Sequence, residues 1–265
     1  MDKAEVVVVV GLGEVGKPLF KLISKRYKTL GVDIEPGKPI IDSVDVLHIC
    51  YPFQIADFVG ETVRYIKLIR PSLTIINSSI PVGTTRAVAL RSGTPVAHSP
   101  VRGKHAHMLN DLLKYEKFVS ATDPITAKRA ATHFRSIGLR TRVLARPETT
   151  ELAKLTETTY FGLLIAWAQE IERACDKLEL DYDEVVSFYE EINFFPPVKY
   201  FSGIIGGHCV MPNIELLRQT LDLELVEAIR SSNNKKIRRE ARHQKPQASS
   251  IAKFRGTVIA GRQAS

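Results

Sequence analysis

The chain has 265 residues, 44% of them hydrophobic and 25% charged, enough for one large domain or two ordinary ones around a buried core. Its net charge of +8 lies wholly in residues 233–265, where nine Lys and Arg face one acid, Glu240, so the preceding body is neutral. That excludes a basic body built for nucleic acid. The segment reads as a solvated tail, disordered beyond a helical start, and no nucleic-acid partner is expected. Phe161–Ala168 is an apolar stretch far short of the roughly 20 residues a membrane span needs. The start, with Asp2, Lys3 and Glu5, is not that of a secretory signal, so neither export nor membrane attachment is expected. Three scattered cysteines, Cys50, Cys175 and Cys209, fit a reducing compartment, and the expected location is cytoplasmic.

In chain order, Val6–Val10 predicts a buried parallel strand and residues 14–25 a helix with Val15, Leu19, Leu22 and Ile23 on one face. Residues 28–34 and 44–50 predict the second and third strands. Residues 55–69 predict a helix that stops before Pro71. Strands at 73–77 and 95–98 flank a short helix at 84–90. A strand at 117–121, a helix at 124–136 and a strand at 141–144 follow. This alternation predicts an α/β fold, a Rossmann-type doubly wound parallel sheet followed by a helical domain. Residues 148–178 form one long helical run, with Leu152, Leu155, Phe161, Leu164, Ile165, Trp167, Ala168 and Ile171 at helical spacing. Residues 181–189 predict a helix capped by Asp181, which Pro196-Pro197 breaks, and residues 214–230 a further one. The expected organisation is a dinucleotide-binding domain over 1–146, a helical domain over 147–232 and the basic tail over 233–265.

The first strand runs into Gly11-Leu12-Gly13-Glu14-Val15-Gly16, and Asp33 ends the second strand where a ribose-binding carboxylate is expected. Gly11 makes the tight turn, Gly13 clears space for a pyrophosphate, and Gly16 lets the helix pack closely. Glu14 and Val15 complete the loop, and the helix N-terminus offers amides to the phosphates. Asp33, with Glu35 near it, would repel a 2′-phosphate, so the expected cofactor is NAD. Much later, Gly203-Ile204-Ile205-Gly206-Gly207-His208-Cys209 presents a thiol on a glycine-rich turn, far from any predicted strand. No metal site is expected.

These stretches, with Ser78-Ser79-Ile80-Pro81-Val82-Gly83-Thr84-Thr85, Ser99-Pro100 and Glu151-Leu152-Ala153-Lys154-Leu155, occur in an order and spacing that resemble the UDP-glucose/GDP-mannose dehydrogenases over roughly residues 4–234. The resemblance implies an NAD-linked enzyme of polysaccharide biosynthesis that oxidises a sugar primary alcohol to a carboxylate in two steps. It implies Cys209 as nucleophile through a thiohemiacetal and a thioester, Lys154 as stabiliser of the developing oxyanion, and Ser79 as a holder of the hydrolytic water. Its Gly-Gly-His-Cys form is nearer the mannose and N-acetylhexosamine branches. A small-molecule substrate, such as a sugar nucleotide, and a homodimer formed through the long helix complete the expectation.

Three positions depart from the family pattern. Val101 stands where an acid follows Ser-Pro, Thr158 stands for asparagine, and Asn213 stands for aspartate. His98, His105, His107 and His208 are the substitute bases on offer. The family also continues into a second nucleotide-binding domain, whereas this chain ends in its basic tail. Two other readings use the same residues: a single-hydride dehydrogenase of the 3-hydroxy acid type, and a non-catalytic NAD-binding relative.

Overall fold

The computed structural model describes residues 5–33, 43–103, 107–189, 191, 202–207 and 209–243. Strand β1 (Val6–Val10) is buried throughout, as its unbroken β-branched run requires. It pairs in parallel with β2 (Lys28–Val32) on one side and with β3 (Val46–Ile49) on the other. Then β4 (Leu73–Ile76), β5 (Val96–His98), β6 (Lys117–Ala121) and β7 (Thr141–Val143) extend one sheet in the order β2-β1-β3-β4-β5-β6-β7. The chain leaves β1 toward one edge and returns to its other side for β3, so a crevice opens at their carboxyl ends. This is the expected Rossmann-type architecture.

One pair departs from the expected parallel sheet: β5 and β6 run antiparallel, while β6 and β7 are parallel again. The connection between them holds a short helix that the sequence did not betray, α4 (Met108–Lys114). Val101, Gly103 and Met108 from this connection line the cleft at the carboxyl ends of the strands. Because the connection stays at that end, β6 must enter there and run back.

Alternation along β1 separates two cores. Val7 and Val9 pack with Leu19 and Ile23 of α1 (Gly16–Ile23) and with Ala130 and Phe134 of α5 (Pro124–Ser136). Val6, Val8 and Val10 pack with Val63 and Ile66 of α2 (Phe58–Ile69) and Val88 of α3 (Thr84–Ser92). Caps set the helix starts. Asp57 accepts from the Gly60 amide at 2.8 Å, so α2 begins at Phe58 rather than residue 55. Asp123 accepts from the Thr126 amide at 2.8 Å ahead of Pro124. Asp181 caps α7 (Tyr182–Ser187) through the Glu184 amide at 2.9 Å, as its sequence position predicts.

From Pro147 to Leu178 runs a single helix, α6. Leu155 and Ala168 are buried on it, but Leu152, Phe161 and Trp167, expected on the same inner face, are exposed. The expected helix over 214–230 is two helices, α8 (Val210–Arg218) and α9 (Glu224–His243). The Thr220 and Leu221 amides both close on the Leu217 carbonyl and end α8. The chain divides into two compact units, one of residues 1–162 and 206–226 and one of residues 163–205 and 227–265. This grouping differs from the expected boundaries at 146 and 232, because the first part of α6 and all of α8 group with the sheet. No helix of the described residues is long and apolar enough to cross a membrane.

Within the second unit, α9 carries the start of the expected tail as ordered helix. Asn233 is buried and brackets Ile205, accepting from its amide at 2.8 Å and donating to its carbonyl at 3.0 Å. Buried Lys236 donates to both Glu172 oxygens, at 2.7 and 2.9 Å, and Arg239 pairs with Asp176. These side chains earn order that charge counting alone assigned to solvent. The chain beyond His243, Ile34, Pro196-Pro197, His105 and His208 lie outside the described residues.

Three histidines of the first unit are buried: His48, His98 and His133. Burial holds His48 well below the ordinary imidazole range and lowers His133 to about 4 and His98 to about 3. The unfolded chain therefore binds these protons at a higher pH than the folded one. Stability is full above about pH 6.5 and falls as pH drops toward 4, by up to about 1.4 kcal/mol per pH unit for each histidine. Thermal unfolding scanned from pH 7 to pH 4 checks this, and a flat Tm across that window would contradict neutral burial. Truncation after Asn234 removes the Lys236 and Arg239 ion pairs. It should lower stability by about 1–3 kcal/mol, read by calorimetry.

Candidate functional site

The glycine turn after β1 is built by close approach. Gly11 has a φ of +87°, its amide donates to the Val32 carbonyl at 2.8 Å, and a Cβ there would lie 2.7 Å from the Tyr51 nitrogen. A Cβ on Gly16 would lie 1.8 Å from the Gly11 carbonyl oxygen, so neither position admits a side chain. Gly13 is different. It is exposed, and a Cβ there would meet nothing within 4 Å. Its missing side chain therefore leaves open space in the cleft that it lines, a cavity of about 530 Å³. Glu14, Val15 and Lys17 from the start of α1 line the same cleft, as do Asp33 after β2, Cys50–Gln54 after β3 and Asn77–Ser79 after β4. An open cradle of amides at one strand end and a carboxylate at the next is a donor and acceptor set that fits a dinucleotide.

The structure brings Lys154, Ser79 and Cys209 to the same cleft. Cys209 is half-buried at the N-cap position of α8, and Lys154 sits on the third turn of α6 with its amine 3.4 Å from Glu157. Burial raises the Cys209 thiol above its ordinary range, the Lys154 charge pulls it back, and Glu14 pushes it further up. The net direction is upward, so the thiol is protonated at neutral pH and the nearby cation only moderates it. Ser79 is partly buried and lines the cleft.

Two of the three departures from the family pattern meet each other. Asn213 donates from Nδ2 to Thr158 Oγ1 at 3.0 Å, and Thr158 is close enough to donate to the Lys154 and Leu155 carbonyls. A neutral hydrogen bond thus stands at these two positions. The third, Val101, is a buried apolar residue of the cleft wall. Among the described residues that line the cleft, the carboxylates are Glu14 and Asp33.

Of the substitute bases, His98 is ruled out by its surroundings. Its Nδ1 meets Thr150 Oγ1 at 2.7 Å, its Nε2 meets the Ser78 carbonyl at 3.1 Å, and it is fully buried and does not line the cleft. His107 is exposed and also lies outside the cleft lining.

Sequence reasoning missed three further groups. Glu151 is a buried carboxylate that accepts from the Gly83 amide at 2.6 Å, the Thr85 amide at 2.8 Å and Thr85 Oγ1 at 2.6 Å, so it caps α3 from another element. Only its place in a Glu-x-x-Lys stretch hinted at it. Cys50 stands at the end of the predicted third strand. It is buried, yet it lines the cleft floor, and burial pushes its thiol up to about 12 against the pull of Lys117 and Asn77. Lys117 is buried with its amine 2.7 Å from the Ser99 carbonyl, and burial lowers it to about 7. No local signal marks it, because its partners are backbone oxygens.

Brief alkylation at pH 8 should label Cys209 before Cys50 and buried Cys175. Lys154→Ala should slow labelling of Cys209 severalfold and Glu14→Gln should speed it, because the first removes a charge favouring thiolate and the second one opposing it. Peptide mapping reads both changes. Equal labelling of the three thiols would remove the case for a presented cysteine.

Residues 148–235 match the central domain of the UDP-glucose/GDP-mannose dehydrogenase family. The chain is 23% identical to a UDP-N-acetyl-D-mannosamine dehydrogenase of Methanococcus vannielii, over 88% of this chain and 66% of the relative. It is 24% identical to an NDP-N-acetyl-D-galactosaminuronic acid dehydrogenase of Ralstonia nicotianae, over 79% and 64%. It therefore spans about two thirds of the length of these relatives. Among solved structures it superposes on the UDP-D-ManNAc dehydrogenase of Pyrococcus horikoshii with a TM-score of 0.75 at 21% identity, covering 89% of this chain and 70% of that one. A Mycobacterium tuberculosis 3-hydroxyisobutyrate dehydrogenase shares the fold at a TM-score of 0.66 and 15% identity, over 91% and 95%. Its glycine turn, lysine and cysteine gather in one cleft, and its residues 148–235 are similar to the central domain of the UDP-glucose/GDP-mannose dehydrogenase family.

Proposed function

We propose that this chain is an NAD-dependent oxidoreductase of the nucleotide-sugar class, acting on a primary alcohol. The observation that carries the reading is one cleft with a dinucleotide cradle and Asp33 at one side and Cys209 with Lys154 at the other. NAD, when bound, supplies the hydride acceptor. Gly11, Gly13, Glu14, Val15 and Gly16 would hold its pyrophosphate, and Asp33 would accept from ribose hydroxyls. Lys154 donates to the substrate oxygen as negative charge develops there. Loss of a hydride from the alcohol carbon and of the hydroxyl proton leaves an aldehyde; the Cys209 sulfur then bonds to its carbon as the C–O double bond opens, and the thiol proton ends on that oxygen as a hydroxyl. Further oxidation of that adduct leaves a thioester. Water cleaves it to a carboxylate and returns the Cys209 thiol, with Ser79 holding the water. The Thr158–Asn213 pair is neutral, so it orients groups there and takes no proton. A cytoplasmic homodimer serving polysaccharide biosynthesis belongs to the same reading, and exposed Leu152, Tyr160, Phe161 and Trp167 of α6 support a helix-mediated contact.

A second reading is favoured by Val101 and Asn213, which leave thioester hydrolysis without its usual acids. In it, Lys154 serves a single-hydride oxidation of a 3-hydroxy acid and Cys209 forms no bond.

Incubation with NAD and UDP-N-acetyl-D-mannosamine separates the two. Two NADH per sugar and a carboxylate product are expected, both lost in Cys209→Ser. One NADH from 3-hydroxyisobutyrate, with activity retained in Cys209→Ser, would establish the second reading. Asp33→Ala should weaken NAD binding by about 1–3 kcal/mol. Equal affinity of the unaltered chain for NAD and NADP would contradict the role given to Asp33.

A further inference from the structure

Asn77 follows β4 at the cleft floor and is fully buried, yet its Oδ1 has no hydrogen-bond partner in the protein. The amide nitrogen is committed elsewhere. Nδ2 lies 3.2 Å from the Ile75 carbonyl oxygen and 3.1 Å from His48 Nδ1. A carbonyl oxygen can only accept, so the NH2 group must face Ile75, and the side-chain oxygen is left on the other side. His48 Nδ1 then accepts the second amide hydrogen and carries no proton. His48 is neutral in its buried place, so its proton is on Nε2, which donates to His133 Nε2 at 3.0 Å. His133 in turn holds its proton on Nδ1. Tyr27 stacks on the His133 ring at 5.2 Å and Phe134 packs against both rings, so neither imidazole is free to turn. The donors run one way, from the Asn77 amide through His48 to His133, and they leave unmatched the side-chain oxygen of Asn77, a residue of the cleft lining.

We infer that Asn77 is a ligand-recognition residue of this cleft, its Oδ1 accepting a hydrogen bond from a ribose hydroxyl of the dinucleotide half opposite Asp33, with His48 and His133 as positioning residues. The inference rests on the dinucleotide reading of the cleft. Asp33 follows β2 and Asn77 follows β4, three strands away in the order β2-β1-β3-β4. At roughly 4.8 Å per strand the two acceptors stand about 14 Å apart, which suits the two ends of an extended dinucleotide. Phosphates and ring nitrogens offer Oδ1 nothing, because it needs a donor. Ribose hydroxyls and the carboxamide N–H are the donors at that end. The ribose is the better match, because Asn77 leaves a strand end as Asp33 does and meets the ligand from the sheet side. A neutral amide also suits this position better than a carboxylate, since the surrounding Cys50, His48 and Ile75 offer no countercharge.

Isothermal titration of the full chain with NAD, ADP-ribose and ADP tests the assignment. Asn77→Ala should weaken NAD and ADP-ribose alike, about three- to tenfold, and leave ADP within about twofold, which also reports that the variant is folded. A loss confined to NAD would place the donor on the carboxamide and overturn the ribose assignment. No loss for either would overturn the inference. If the unaltered chain bound no NAD, the dinucleotide reading itself would fall, and this inference with it. Nitrogen-15 imidazole spectra of the unaltered chain give a check that depends on no variant. They should show His48 protonated on Nε2 and His133 on Nδ1. The opposite tautomers would mean that the amide is turned, with no oxygen offered to a ligand.

Discussion

The Glu151 carboxylate is the contact on which the cleft depends. It lies fully buried and accepts three hydrogen bonds from the first turn of α3, an element 66 to 68 residues earlier in the chain. Burial raises its pKa and the three donors lower it, with burial the larger influence, so its ionised form relies on those donors. One residue earlier, Thr150 meets His98 at 2.7 Å and Ser120 at 2.5 Å. The first turn of α6 is thereby bound to α3, β5 and β6 together. Helical geometry does the rest. Lys154 follows Glu151 by three residues and Thr158 by seven, so fixing the first turn fixes the face that carries them. Thr158 in turn receives Asn213, one turn after Cys209 on α8.

The cleft combines an exposed, charged rim with a buried, neutral floor. Asp33, Glu14 and Lys17 are exposed where a ligand's phosphates and sugars would lie. Beneath them Cys50, Asn77, His48 and His133 are buried, and burial disfavours the charged form of each titratable member. The Lys117 charge acts on Cys50 and His48 in this floor, and backbone oxygens rather than a carboxylate receive its amine. Neutral groups in a dry floor hold their hydrogen-bond directions without counterions, so the site can be rigid before a ligand arrives. Cys209 stands between these regimes. It is half-buried, and Lys154 and Glu14 act on it with opposite sign.

The replaced family positions form a consistent local solution. A threonine hydroxyl accepts from an asparagine amide, and an apolar valine closes the wall nearby. Substituting one partner alone would leave a buried amide against an unmatched group, so the pair is best understood together. Loss of the acids bears on how water is activated and leaves untouched how the cysteine is presented.

Much of this was legible along the chain. The valine run, the glycine turn, Asp33 and the capping Asp181 declare themselves through periodicity and spacing, because each acts on neighbours within a few residues. The gathering of Cys209, Lys154 and Ser79 was legible only through family resemblance, since the chain separates them by up to 130 positions. Asn77, Lys117 and Glu151 stayed silent because their partners lie across the sheet or on another element. The antiparallel β6 was hidden for the same reason, as its direction depends on where its connection travels. Apart from α4 and the break between α8 and α9, the sequence by itself determined which segments become strands and helices and where backbone can approach a ligand. Those follow from side-chain branching, amphipathic period and the absence of a Cβ. Tertiary structure alone decided which polar groups are satisfied and which is left open to the cleft, because burial and long-range hydrogen bonds exist only once the layers have packed.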